Sequence, residues 1–276
     1  MAARTTLARA VVADGVGLHS GKPCAIELSP ARSGEGAVFA LDGAANVTAV
    51  ASHVVRWERC VALGNSAGSV YSVEHLLSAL RGMGVHDVRI KVEGPEIPAM
   101  EGNALGFVTL IEEAGLRPNG RLRRYHLRSA VWVQDDGRLL IALPSNEFRI
   151  SCVVDYPQCH LGRQFASFRI DPETFRNEIA PARTFCFEEE IKQLRAAGLG
   201  MGGSEKDPIA LIIGPRGYTS PLNFPDEVVR HKVLDLIGDT SLVGVPFTAH
   251  IVAVRPGHRL NVRLAREIAA ALGVDA

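Results

Sequence analysis

Strands that give way to helices, twice along one chain, constrain the fold more than any other feature of this sequence. The first half opens with short apolar segments at 7–12, 24–28, 37–41 and 60–63, punctuated by Gly15, Gly17 and Gly21. This is strand and turn language. A helical pattern then starts at Ser72, a good N-cap, with Leu76, Leu77 and Leu80 as its apolar stripe and Gly82 or Gly84 to close it. A strand at 88–92, a Pro/Gly-rich loop at 94–102 and a helix at 107–115 follow. The second half repeats the order: strands at 130–133, 139–143 and 148–154, helices at 188–197 and 227–242, a strand at 250–254 and a helix at 260–272. Between the halves, 117–124 combines turn residues with a basic run and suits a linker. The expectation is an α+β fold in two domains, 1–121 and 122–276, with no repeat visible in the sequence itself.

Composition removes several classes of function. The 276 residues carry 30 Lys+Arg against 30 Asp+Glu, a formal net charge of zero, which argues against a mainly electrostatic nucleic-acid or anionic-membrane binder. No apolar run approaches the roughly 18 residues of a membrane-spanning helix. The five cysteines (Cys24, Cys60, Cys152, Cys159, Cys186) are odd in number and scattered, so neither a disulfide framework nor a zinc ribbon is expected. The N-terminus lacks the apolar stretch of a signal peptide. A cytoplasmic protein is expected, with Arg4 and Arg9 leaving an organellar presequence as the alternative.

The chemistry concentrates on one helix. From Asp226 onward, His231 and Asp235 are spaced i and i+4, with Gly238 and Asp239 a turn further along the same stripe; Val233, Leu236 and Ile237 lie off it and can pack on a sheet. Two groups four apart on a helix can bind one metal ion, but the same spacing suits a solvated face with a His/Asp pair. Glu74-His75 opens the earlier helix, where Glu74 could equally serve only to complement the helix dipole. His258 follows Arg255-Pro256-Gly257, a loop that can present or merely expose it. Together these residues meet one chemical need. A hydrolytic zinc takes three protein ligands, here His75, His231 and Asp235, and works with a base, Glu74, and an acid, His258, oriented by Asp239. Two neutral imidazoles and one carboxylate would leave the site one positive charge.

The ordered motifs Ser72-Val73-Glu74-His75-Leu76, Gly94-Pro95-Glu96-Ile97-Pro98, Ala182-Arg183-Thr184-Phe185, Gly202-Gly203-Ser204, 229–239 and Gly257-His258 resemble the UDP-3-O-acyl-N-acetylglucosamine deacetylase family, the zinc amidases of lipid A synthesis in Gram-negative bacteria. The opening 15–21 is similar as well, so the likeness covers essentially the whole chain. It implies two βα-sandwich domains, helices packed between the sheets, and an active site at the domain junction. Zinc, with Fe2+ as an alternative occupant, would sit on His75, His231 and Asp235. Glu74 would be the base, His258 the acid supported by Asp239, and Thr184 an oxyanion donor of a kind worth about 2.7–4 kcal/mol. Lys232 would neutralise substrate phosphate or intermediate charge. Asp155, Tyr156, Phe185 and Arg255 would contact the nucleotide sugar, Tyr156 by stacking and Arg255 near the diphosphate. An insert near 187–206 would form a passage for the acyl chain, with Leu194 and Met201 in its wall, although an apolar stripe there also suits plain core. The expected partner is the small-molecule substrate, with no nucleic acid, no stable membrane insertion and a monomeric chain. A zinc amidohydrolase acting on another N-acyl sugar and a non-catalytic nucleotide-sugar or acyl-chain binder are the competing readings.

Overall fold

A computed structural model describes residues 3–41, 46–157, 159–203 and 209–275. Its α-helices are α1 (Glu74–Gly82), α2 (Leu105–Ala114), α3 (Pro172–Thr174), α4 (Ile191–Ala196), α5 (Glu227–Ser241) and α6 (His258–Leu272). Two large sheets share one connectivity. The first runs in the order Val11–Val16, Pro23–Pro30, Val88–Glu93, Ala37–Leu41, Val47–Thr48, and the pair Val88–Glu93 with Ala37–Leu41 alone is parallel. The second runs Val131–Asp135, Arg138–Leu143, Phe247–Val254, Phe148–Tyr156, Gly162–Arg169, again with one parallel pair along that path, Phe247–Val254 with Phe148–Tyr156. In each the central strand lies between two helices of the chain, α1 and α2 in one case, α5 and α6 in the other. The structure is thus internally duplicated where the sequence shows no repeat. A sheet requires only the alternation of side chains, and many residue sets satisfy it.

Both sheets turn their apolar faces toward the helices. Val88–Glu93 alternates buried with exposed residues, and α1 and α5 bury Leu76, Leu80, Val229, Val233, Leu236 and Ile237 almost completely. The two helices touch at close range, where a Cβ on Gly238 would collide with the backbone carbonyl of Glu74. Ser78 Oγ adds a hydrogen bond to the Leu234 carbonyl at 2.8 Å. At the far end of α1, the Arg81 guanidinium lies 4.1 and 4.3 Å from the ring centroids of Phe148 and Phe247 and donates to the Phe247 carbonyl at 2.9 Å. Cation–π contact therefore docks α1 on the second sheet. No helix among the described residues is long and apolar enough to cross a membrane, and all five cysteines are free.

Two local expectations are corrected. Ser72 is not the N-cap of α1: Val73 holds that place, and Ser72, at φ 60°, sends its hydroxyl to Glu96 instead. The supposed linker is partly strand, because Leu116–Arg121 pairs antiparallel with Ala3–Leu7. Asp87 fastens this closure. Its buried carboxylate accepts from Arg4 Nε and Nη2 at 2.6 and 2.7 Å, from the backbone N–H groups of Gly34 and Gly36, and from Asn119 Nδ2 at 2.9 Å. Asp87→Ala leaves Arg4 with an uncompensated, mostly buried charge and is expected to cost about 3–5 kcal/mol. A urea titration reads this as a lower midpoint at unchanged slope.

Candidate metal centre and active site

The close contact of α1 with α5 sets Glu74 and His75, in the first turn of α1, against the middle of α5. His231 Nε2 lies 3.3 Å and His75 Nε2 3.7 Å from Asp235 Oδ1, and the two imidazoles meet edge-to-face at 5.0 Å between centroids. The candidate ligand atoms of His75, His231 and Asp235 all lie within 4.8 Å of one another. The stripe expected on α5 is present, but it is buried: His231, Asp235 and Asp239 are each no more than 2% exposed. That removes the solvated-face reading.

Hydrogen bonding defines the state of these groups. His231 Nδ1 lies 3.0 Å from the Ala182 carbonyl, which can only accept, so Nδ1 carries the proton and Nε2 turns toward Asp235. Asp235 Oδ2 accepts from Lys232 Nζ at 2.8 Å, whereas Oδ1 is buried with no hydrogen-bond partner among the described residues. A buried carboxylate oxygen facing an imidazole nitrogen needs positive charge between them, either a second proton on His231 or a cation. Convergence of the His75 nitrogen on the same oxygen favours the cation, and the donor set of two nitrogens and one oxygen suits a borderline-soft divalent ion. Burial alone would raise the Asp235 carboxyl pKa, but His231, Lys232 and His258 outweigh it and hold the carboxyl well below its usual range.

The proton-transfer groups flank this set. Glu74 is 5% exposed and its Oε2 accepts from the Val61 N–H at 3.0 Å; burial pushes its pKa up, with His258 and His75 opposing. His258 is the first residue of α6 rather than part of the preceding loop, and its Nδ1 lies 2.8 Å from Asp239 Oδ2. Asn261 Nδ2 donates to the same oxygen at 2.8 Å. Burial would lower the pKa of His258, but Asp239, with Asp235 and Glu74, pushes it up to about 9. Lys232 behaves alike: burial lowers its pKa, yet Asp235 and Tyr156 carry it above the ordinary lysine value.

The remaining expected residues divide by location. Thr184 begins the segment entering the strand Phe185–Phe187, its backbone bonded to Gly102 and Leu211, and the next residue, Phe185, lies 6.2 Å edge-on to His231. Lys232 Nζ is 5.2 Å from the Phe185 ring, and Tyr156 packs against Phe185 and Phe187. These residues form one aromatic wall beside the His/Asp centre. Asp155 points to the opposite, open face of its strand and pairs with Arg163 at 3.0 Å, and Arg255 is exposed near the turn at Gly137. The structure does not bring Asp155 to the His/Asp centre. Leu194 lines an apolar cavity with Leu18, Ile191, Leu199, Ile209 and Ile212, whereas Met201 is 52% exposed and its backbone N–H donates to the His19 carbonyl.

Sequence reasoning gave no role to four supporting groups, Asn261, Glu227, Arg183 and Glu96. Asn261 had a legible signal, its i+3 spacing from His258. Arg183 stood in a quoted motif, but its pairing with Glu227 had no signal, the two being far apart in the chain. Arg183 donates from its backbone N–H and from Nε to Glu227 Oε1 at 3.0 and 2.8 Å, which ties the Thr184 segment to the first turn of α5. Glu96, also within a quoted motif, accepts hydrogen bonds from Ser72 and from the backbone of His19 and Ser20.

Two imidazoles and a carboxylate that converge beside a buried carboxylate and a carboxylate-held imidazole suit metal-assisted hydrolysis, so the class of protein that the site fits is a metallohydrolase. Its family follows from residues 4–270, which match the model of the UDP-3-O-acyl N-acetylglycosamine deacetylase family. The UDP-3-O-acyl-N-acetylglucosamine deacetylase of Nostoc sp. (strain PCC 7120) is 40% identical over 275 residues, covering 96% of this chain and 98% of that protein. Its namesakes from Nitratidesulfovibrio vulgaris and Myxococcus xanthus are 39% and 40% identical, covering 94% and 95% of this chain and 85% of each relative. The chain belongs to the UDP-3-O-acyl N-acetylglycosamine deacetylase family.

Proposed function

We propose that this protein hydrolyses the N-acetyl group of UDP-3-O-[(3R)-3-hydroxyacyl]-N-acetylglucosamine to the free amine and acetate, the committed step of lipid A biosynthesis. The observation that carries the reading is the orphaned Oδ1 of Asp235 facing His75 and His231. These three residues would hold one Zn2+, with Fe2+ as the alternative. When bound, the ion supplies Lewis acidity, which makes a water more acidic and an amide carbonyl more electrophilic.

The chain's own groups do the rest. Glu74, whose pKa burial raises, takes a proton from water as it attacks the acetyl carbonyl. Thr184 Oγ1 would donate to the developing oxyanion. His258, kept cationic by Asp239, gives its proton to the departing amine nitrogen. Lys232 would offset negative charge from its place beside Asp235 and Phe185. The Tyr156–Phe185 wall suits the nucleoside, Arg255 would contact the nucleotide from the rim, and the cavity bearing Leu194 suits the acyl chain. We further read 1–121 and 122–276 as the two domains. The pairing of Ala3–Leu7 with Leu116–Arg121, and of Tyr125–His126 with Phe247–Val254, supports that division. A cytoplasmic monomer is the corresponding reading.

The test compares acetate release from the UDP-linked 3-O-acyl sugar with release from simple N-acetyl amides. The reading expects strong preference for the former, and equal rates would contradict it. pH dependence adds a second prediction. Activity requires the protonated form of His258, so the basic limb reflects loss of that proton as pH rises. A cation on Asp235 offsets part of the field that raises this pKa, so the limb is expected between 6.5 and 9. Asp239→Asn removes the main raising charge and moves the limb to lower pH, read from a kcat/KM profile.

A further inference from the structure

One buried carboxylate stands outside the catalytic set. Glu96 is 1% exposed, and its Oε1 accepts from the His19 N–H at 3.0 Å and from Ser72 Oγ at 2.6 Å, while Oε2 accepts from the Ser20 N–H at 2.8 Å. Three donors from two segments thus converge on it. One segment is the approach to α1, two residues before Glu74. The other is the turn 17–21, which carries Leu18. Gly17 crosses so close to Glu96 that a Cβ there would collide with Oε2.

The turn is also one wall of the apolar cavity. Leu18 lines it together with Ile191, Leu194 and Leu199 from the segment after Phe187. The two walls are stitched by backbone bonds, Met201 N–H to the His19 carbonyl at 3.2 Å and Gly202 N–H to the Leu18 carbonyl at 3.0 Å. At this seam a Cβ on Gly202 would collide with the Gly17 carbonyl. α1 is anchored by its own buried face, whereas the turn 17–21 is partly exposed and depends on Glu96 for two of its N–H groups. Loss of the carboxylate therefore displaces the turn, and with it Leu18, rather than α1.

The geometry points to Glu96 as a positioning residue for chain selectivity: through the turn 17–21 it holds the Leu18 wall of the apolar cavity in register with the start of the catalytic helix. The inference rests on the proposed function in taking the cavity's occupant to be the substrate's acyl chain. Glu96→Gln keeps the volume but replaces an accepting oxygen by an NH2 group that meets a donor. Gly202→Ala presses on the Gly17 carbonyl and the Leu18 backbone from the other side and shifts the same turn with Glu96 itself unaltered, so it tests the turn's hold on the cavity wall if Glu96→Gln does not fold.

The experiment measures kcat and KM of the wild type and both variants on the tetradecanoylated UDP sugar and on UDP-N-acetylglucosamine without the chain. Binding of tetradecanoic acid to each protein is measured alongside by calorimetry. For both variants the expected result is a KM at least about tenfold higher on the acylated sugar, with kcat and the rate on the unacylated sugar within about threefold of wild type. Tetradecanoic acid binding is expected to weaken by about tenfold as well. Parallel loss on both sugars, or unchanged fatty-acid binding, overturns the inference. A wild type that hydrolyses neither sugar yet binds the fatty acid, with both variants weakened, contradicts the proposed function and supports the role of Glu96.

Discussion

Glu74→Gln is expected to lower kcat by about 10²- to 10⁴-fold, the range for loss of a positioned general base, with little change in KM and with the metal retained. The substitution is nearly isosteric, and glutamine's carbonyl oxygen can still accept the Val61 N–H that Glu74 Oε2 now accepts at 3.0 Å. What disappears is the capacity to take a proton. Burial makes the native carboxylate a stronger base than an exposed one, so the loss falls on the chemical step. Measuring zinc content beside kcat separates this outcome from metal loss. A variant with normal metal and normal kcat would remove Glu74 from the base role.

Removing a ligand has a different signature. His75→Ala is expected to weaken metal binding by more than the 10- to 100-fold that loss of an outer partner causes, and to abolish hydrolysis with it. His75 is the least buried of the three candidate ligands, so its removal disturbs the core least. The wild type stripped by a chelator should regain activity on adding Zn2+, whereas His75→Ala should not at the same concentration. Full activity of the stripped wild type would contradict a metal role. The pair of variants thus distinguishes the metal from the base: one keeps the ion and loses turnover, the other loses both.

Much of this site was legible because helical periodicity reports on faces. The i, i+4 spacing of His231 and Asp235, with Gly238 and Asp239 one turn on, placed the groups on one stripe before any fold was known, and the structure buries that stripe against α1. Gly238 reads as permitting close approach, and the Glu74 backbone is what approaches. Glu74, His75 and His258, which periodicity left open, joined that stripe through the need of a hydrolytic metal for a third ligand, a base and an acid, and the family's ordered motifs carry the same residues. Capping was less legible. Ser72 has the right chemistry for an N-cap, but the tertiary partner Glu96 competes for its hydroxyl and wins. The stretch 117–124 carries turn residues, yet its part up to Arg121 is strand, because the partner Ala3–Leu7 is more than a hundred residues away and no local pattern encodes that pairing. The shared connectivity of the two sheets was invisible for a related reason: strand order is set by non-local contacts, while sequence windows see local ones.

The proposed hydrolysis stands on one metal ion bridging the two halves of the chain, with His75 supplied by α1 and His231 and Asp235 by α5. Anomalous scattering at the zinc edge, from crystals grown with Zn2+, tests it most directly. One strong peak is expected within bonding distance of His75, His231 and Asp235 Oδ1. A peak held by other residues, or no peak between α1 and α5, would contradict it.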